Sequence, residues 1–393
     1  MLRFIVGRLF GSLLVLWIIV TLSFFLMRFA PGGPFDQDRK LPANVEANKW
    51  LLYRMGVELT APVAGTVEVV ADVTLKTKTY PEGTLLAVIQ PTPATPGGET
   101  PALVEIRLPS ESAVVSMAVD KGQKLDQGAR IAVVPKSLWD QYTDAIGHYA
   151  VLDFGTTFES EGRTPVSQKL LEALPISLSL GGMALFFALV VGISFGLIAA
   201  LKQNTWIDYT VMSGSMLGVS IPTMVSGPLL MAIFVLGLGW FPPRGWEAEL
   251  GSHFSTWQHR VLPVVCLGLA YVPTIARLTR GGMLEVVRSD WIRTARAKGL
   301  SDATIVRRHA LRAALLPVVS WLGPGMASVV TGSIVVERVF SVPGLADSFV
   351  TPALARDYPL VIGTVVLYAS VLVILNLLVD IAYTFLDPRV RLA

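Results

Sequence analysis

What most constrains this chain is a set of long apolar blocks without a single charged residue. From Leu9 to Met27 the sequence runs 19 residues uncharged, bracketed by Arg8 and Arg28, and a helix needs about 20 residues to cross the hydrocarbon core. Thirteen of the 19 are Leu, Ile, Val or Phe, which at about −0.3 to −0.6 kcal/mol each favours the bilayer by about 4 to 8 kcal/mol. The run exceeds the ~7–15 residues of a signal-peptide core. Ala30-Pro31 is also a poor cleavage site, so the block reads as a retained anchor.

Five more charge-free stretches lie between Glu172 and Lys202, Asp208 and Arg244, Arg260 and Arg277, Arg312 and Glu337, and Asp357 and Asp380. Together they predict six crossings. The fourth is the shortest at 16 residues, Val261 to Ala276; Arg277 and Arg280 extend it if their heads snorkel to the interface. With 52% hydrophobic and only 16% charged residues, the composition excludes a disordered chain and an ordinary soluble enzyme.

Charge placement sets orientation, because Lys and Arg accumulate on the cytoplasmic side. The segment Arg277 to Arg312 holds nine Lys or Arg and three acids, whereas Pro31 to Glu172 holds thirteen bases and eighteen acids. Six crossings then put both termini, Lys202 and the basic loop inside, and the 142-residue segment after the first block outside. The net charge of +3 is too small and too dispersed for nucleic-acid binding. The lone Cys266 forms no intrachain disulfide, and His148, His253, His259 and His309 lack metal-ligand spacing. No Gly-Lys dipeptide exists to anchor a phosphate loop, so the chain is expected to bind no cofactor.

Between Leu59 and Pro135 the pattern switches to short alternating strands, Thr66 to Val70, Leu85 to Ile89, Ala102 to Leu108 and Ala113 to Val119. Gly83, Gly122 and Gly128 mark reversals, and Pro91 to Pro101 reads as a hairpin loop. A weak repeat runs through it: Pro62 and Val67 match Pro109 and Val114, and Gly83 to Val88 matches Gly128 to Val133. The segment resembles the two-fold hammerhead sandwich of the biotinyl/lipoyl domain family, through Ala61 to Val67 and Val119 to Leu125. Its connecting hairpin carries no lysine, so the resemblance implies no bound biotin or lipoate.

The basic loop carries the strongest signal. Thr294-Ala295-Arg296-Ala297-Lys298-Gly299-Leu300 is a helix ending in a glycine cap. Ser301 or Asp302 can cap a second helix running through His309 and Arg312 to Pro317. Two short helices on a glycine turn make a basic knob suited to docking in a cleft of a cytoplasmic protein. The pattern resembles the EAA loop of ABC importer permeases, with His309-Ala310-Leu311-Arg312 and Pro317 in place and Thr294 where the wider family has Glu.

The resemblance extends to the oligopeptide and dipeptide permease branch, over roughly 310 residues outside the β segment. It includes Arg28 to Pro34, Asp153-Phe154-Gly155, Ala199 to Thr205, Asp208-Tyr209-Thr210, Ile221-Pro222-Thr223, Gly332-Ser333, Pro343-Gly344-Leu345, Arg356 to Leu360 and Leu386 to Arg389. It implies a permease of the prokaryotic plasma (inner) membrane that forms a path for oligopeptides with a homologous second permease subunit. Two ATPase subunits, holding ATP and Mg, would dock on the loops, and an extracytoplasmic peptide-binding protein would deliver substrate. A dipeptide, glutathione, a nickel chelate or a peptide antibiotic stays open as cargo.

The fold class expected is therefore an α-helical polytopic membrane protein with six transmembrane helices and a small extracytoplasmic all-β, lipoyl-like insertion. Its divisions are 1–58 (first span and linker), 59–135 (β domain), 136–172 (external linker) and 173–393 (five-helix core with the coupling loop). Gly323-Pro324-Gly325 in the fifth block is either a gating hinge or a packing kink. Glu337 and Arg338, and Asp380, sit at block ends and read as surface anchors. A membrane-anchored export adaptor would need a single anchor and long helical hairpins, and an intramembrane enzyme would need paired acids or a nucleophile dyad within the spans. Neither pattern is present.

Overall fold

The computed structural model describes residues 2–29, 43–76, 78–93, 101–158, 163–248 and 253–386. Most of Arg28 to Pro34, the Pro91 to Pro101 loop and Leu386 to Arg389 lies outside them, as do the side chains of Thr331 and Asp380. The chain divides into two compact units, one of residues 1–19, 169–351 and 364–393, the other of residues 20–168 and 352–363.

The helical unit draws on α1 (Leu2–Phe29), α4 (Val166–Leu201), α5 (Trp206–Ser220), α6 (Thr223–Met231), α7 (Thr256–Leu269), α8 (Val272–Val287), α9 (Asp290–Ala297), α10 (Asp302–Thr304), α11 (Leu311–Ala314), α12 (Leu316–Phe340), α13 (Asp347–Leu354) and α14 (Tyr358–Leu386). Gly7–Phe29, Val166–Leu201 and Tyr358–Val379 are each long and apolar enough to cross a membrane. Three bent pairs bring the number to as many as six: α5 with residues 223–237 at 103°, α7 with α8 at 54°, and residues 302–314 with 316–330 at 45°.

Each bend coincides with a proline at the start of the following helix. Pro222 is the N-cap of α6, and it holds Ile221 extended at φ −102°, ψ 118°. Pro273 and Pro317 sit in the first turns of α8 and α12, where a missing N–H costs nothing. Pro175 and Pro324, by contrast, lie inside unbroken helices. The core between α4, α7 and α12 is built on Leu180, Ala184, Leu262, Leu267, Val329 and Phe340, with Cys266 buried among them.

Among its described residues the second unit contains α2 (Ala43–Leu52), α3 (Leu138–Ala150) and nine short strands: β1 (Gly56–Thr60), β2 (Gly65–Val70), β3 (Thr79–Tyr80), β4 (Leu85–Pro91), β5 (Val104–Arg107), β6 (Ser112–Ala113), β7 (Ser116–Met117), β8 (Lys124–Leu125) and β9 (Arg130–Pro135). They form sheets ordered β5-β4-β2-β8, β1-β9-β7 and β3-β6. The expected strand Ala113 to Val119 divides into β6 and β7, which pair with β3 and β9.

The sequence repeat is also a structural one. Thr84 N–H donates to Pro81 O and Ala129 N–H to Asp126 O; Gly83 N–H donates to Leu108 O and Gly128 N–H to Ala61 O. Leu108 and Ala61 return the bond to Thr84 O and Ala129 O. Gly83 and Gly128 hold matching φ values of +80° and +84°, a conformation that glycine alone adopts freely. Leu86 with Ile131 and Ala87 with Ala132 are paired core positions, all fully buried.

The Arg356 to Leu360 motif bonds the segment that follows Asp153-Phe154-Gly155. The buried Asp357 carboxylate accepts from Thr157 Oγ1 at 2.5 Å, Phe158 N–H at 2.7 Å and Leu360 N–H at 3.3 Å. Asp153 accepts from Arg54 at 2.6 Å and from Gly155 N–H at 3.1 Å, with His148 Nδ1 at 3.2 Å. The hydrogen bond from Arg54 holds the Asp153 carboxyl below the usual carboxylate range. Burial raises the phenols of Tyr53 and Tyr149 above theirs.

Candidate functional site

The basic knob forms, and its geometry is set locally. Ser289 precedes α9, and its carbonyl accepts from Ile292 and Arg293. At the other end Gly299 N–H donates to Arg296 O at 2.9 Å and Leu300 N–H to Ala295 O at 3.4 Å. With Gly299 at φ +78°, this is the Schellman closure, in which a left-handed residue satisfies the last helical carbonyls. Nothing lies within 4 Å of where a Cβ on Gly299 would sit, so the constraint there is the left-handed backbone conformation and not a lack of space.

The second helix starts after Ser301, whose carbonyl accepts from Ile305 N–H. Its hydroxyl faces the Thr304 hydroxyl at 2.9 Å instead of a backbone N–H, so the expected side-chain cap is replaced by a hydroxyl pair. The helix widens to π geometry over Ile305–Ala310, returns to α in α11, and ends at Leu315. It therefore stops short of Pro317, which begins α12. Gly323, Pro324 and Gly325 run inside that helix without a break, and the 45° bend falls at Leu315. A Cβ on Gly325 would lie 2.6 Å from the Trp321 ring, so this glycine makes room for an aromatic side chain.

The knob is seated on the helical core by one apolar face. Ile292, Ala295, Ile305, Ala310 and Ala314 are buried with Met283 of α8, and Leu197 and Ala200 of α4 pack against them. α8 and α11 approach so closely that a Cβ on Gly282 would stand 2.2 Å from Ala314 O. Of the expected docking residues only Ala295 faces inward. Thr294, Arg296, Ala297, Lys298, Gly299, Leu300, His309 and Arg312 are exposed, with Arg296 paired to Asp302 at 3.3 Å. The exposed face is thus a basic rim around a glycine corner.

Sequence reasoning missed the clamp beneath the knob. Arg280 does not snorkel. It donates Nε and Nη2 to the two oxygens of Asp208 at 2.8 and 2.7 Å, and Asn204 N–H adds a third bond at 3.1 Å. Asp208 is 2% exposed. The pair joins α5 to α8, and Arg288 reaches Gln203 Oε1 at 3.4 Å nearby. Two lone opposite charges at the ends of neighbouring apolar blocks were the available signal.

Glu337 is corrected as well: it is 1% exposed and is no surface anchor. Its Oε2 accepts from Ala346 N–H at 2.9 Å and its carbonyl from Val342 N–H at 2.8 Å, while Ser177 Oγ accepts from Leu345 N–H at 2.9 Å. Gly344 lies so close that a Cβ would stand 2.4 Å from Glu337 Oε2. The Pro343-Gly344-Leu345 turn is stapled to α4 and α12. Among the described residues no cluster of His, Cys, Asp or Glu has metal-binding geometry.

Comparison with known proteins places this arrangement in context. Residues 192–392 match the family described as binding-protein-dependent transport system inner membrane component. The chain is 35% identical to the oligopeptide transport system permease protein OppB of Haemophilus influenzae over 391 residues, 100% of both chains. It is 34% identical to OppB of Escherichia coli K12 over the same span, again 100% of both. To the dipeptide transport system permease protein DppB of Bacillus subtilis it is 41% identical over 252 residues, 64% of this chain and 79% of the relative.

Proposed function

This chain belongs to the family of binding-protein-dependent transport system inner membrane components, and from that premise we propose that it is the permease subunit of an ABC importer for oligopeptides. It is a transport subunit, not an enzyme; ATP, with Mg, is held and hydrolysed by two partner ATPase subunits. A homologous second permease completes the path, and an extracytoplasmic binding protein delivers peptide. Both termini and the knob lie in the cytoplasm, and the lipoyl-like β unit faces outward, either as a docking module or as an insertion in a tolerant loop.

The observation that carries this reading is the seating of the knob. Its exposed rim runs from Thr294 to Leu300 and on to His309 and Arg312, while its buried face is locked to α4 and α8. The Asp208–Arg280 clamp extends that lock to α5. A packed core transmits displacement instead of absorbing it. When partner ATPases close on the rim, the knob moves as one piece and carries α4, α5 and α8 with it, while the bend at Leu315 passes the motion to α12.

Oligopeptide is favoured over the other cargoes by full-length similarity to permeases named for oligopeptides. Reconstitution with the second permease, the ATPases and the binding protein tests it. Uptake of a labelled pentapeptide that requires both ATP and the binding protein is expected; uptake of nickel chelate or glutathione in its place would overturn the cargo.

A further inference from the structure

The first apolar block ends in a cluster of rings shared with a helix from a segment that reads as an external linker. Thr21 Oγ1 lies 2.9 Å from Tyr142 Oη, Phe24 meets Tyr142 edge-on at 5.4 Å, and Phe25 stacks on Tyr142 at 5.6 Å. Phe29 stacks in turn on Phe25 at 5.9 Å. At 1.5 Å per residue Thr21 stands about 12 Å before Phe29 along α1. The Tyr142 phenol therefore reaches inside the charge-free stretch, and α3 lies beside the last turns of α1, not beyond its end.

α3 is amphipathic at that depth. Trp139, Tyr142, Ile146 and Tyr149 fall on one stripe at spacings of three and four, while Asp140, Asp144 and His148 occupy the other side. Asp144 accepts from Lys136 at 2.5 Å, and Ser137 caps the helix by accepting from Asp140 N–H at 3.1 Å. The protein covers Tyr142 but leaves Leu138 47% and Trp139 68% exposed, with the Trp139 ring 5.6 Å from Tyr142. The exposed indole thus continues a ring cluster built on a spanning helix.

Arg28 marks the boundary plane independently. Its guanidinium lies 3.5 Å above the Phe24 ring and 4.8 Å from that of Tyr53. It donates to Gln141 Oε1 at 3.0 Å and Tyr53 Oη at 3.1 Å. A cation over aromatic faces with its donors turned to polar groups, flanked by Trp and Tyr, is the composition of the membrane–water interface. An exposed tryptophan there meets headgroups and acyl chains, its ring in the apolar layer and its N–H at the polar edge.

We propose that α3 is a membrane-interface helix whose Leu138–Trp139 end is seated in the lipid headgroup layer beside the end of α1, so that lipid covers this face. Because β9 runs into α3 and Lys136 N–H donates to Met55 O at 2.8 Å beside β1, the β unit is held against the bilayer surface. The inference requires only that α1 spans; it is independent of the cargo and of the ATPase partners.

The test uses the full chain in nanodiscs, with Cys266→Ser and one new cysteine carrying a bimane label. Trp139→Cys and Leu138→Cys report on α3, and Ser110→Cys, exposed in the β unit, is the aqueous reference. Lipid spin-labelled near the headgroup is expected to quench both α3 sites at least threefold more than residue 110, with aqueous iodide giving the reverse order. Equal iodide quenching at all three sites, with none from lipid, overturns the proposal. So does shielding of residues 138 and 139 that arises only when a second permease or a binding protein is added, because the face then belongs to a protein.

Discussion

Asp208→Ala is expected to destabilise the chain by about 1.5–3 kcal/mol, less than the loss from a fully buried ion pair because the Arg280 side chain left behind is 29% exposed. Asp208 is 2% exposed and accepts three hydrogen bonds, two from Arg280 and one from Asn204 N–H. Without the carboxylate the guanidinium keeps its charge between α5 and α8 with no acceptor of matching geometry. Thermal unfolding in detergent should show a clear fall in midpoint. The double variant Asp208→Leu with Arg280→Met should recover most of it, since apolar replacement of both partners leaves no stranded charge. An Asp208→Ala protein that unfolds at the parental temperature would show that the clamp holds nothing.

Gly299→Val should abolish uptake while leaving the chain inserted in the membrane. At φ +78° an L-residue costs about 1–2 kcal/mol, and a β-branched one more. The strain is relieved by opening the turn, which releases the bonds to Arg296 O and Ala295 O and separates α9 from α10. We expect transport to fall at least tenfold and ATPase subunits to be lost on copurification. Gly299→Asn, tolerated in the left-handed region and with open space for its side chain, should keep most activity. Equal loss in both variants would make the side-chain surface, not the turn, the determinant.

Much of this architecture is legible in the sequence because it rests on local rules. Charge-free runs give the spans, Gly299 gives the corner of the knob, and the matched Gly83 and Gly128 give the internal repeat. The rest depends on which element packs on which. Several prolines lie inside apolar helices or at their starts, yet the three bends fall at Pro222, Pro273 and Pro317, whereas Pro175, Pro263 and Pro324 sit within unbroken helices. Packing partners are equally hidden in one dimension: a Cβ on Gly323 would stand 3.0 Å from Val379 of α14, and Gly325 makes room for the Trp321 ring one turn earlier in its own helix. Glu337 and Arg280 sit at block ends and look solvated in one dimension. Only folding brings the Pro343-Gly344-Leu345 turn over one and Asp208 against the other. The placing of α3 beside α1 escapes the sequence for a like reason: its apolar stripe is only a few residues long, and its partner lies more than a hundred positions away.

Coupling to cytoplasmic ATPase subunits requires the knob to lie inside the cell. With Cys266→Ser and Lys298→Cys, a membrane-impermeant maleimide should leave intact cells unlabelled and react fully with inverted membrane vesicles, where added ATPase subunits should protect the site. Labelling of Lys298→Cys from outside intact cells would contradict the topology and the proposed function together.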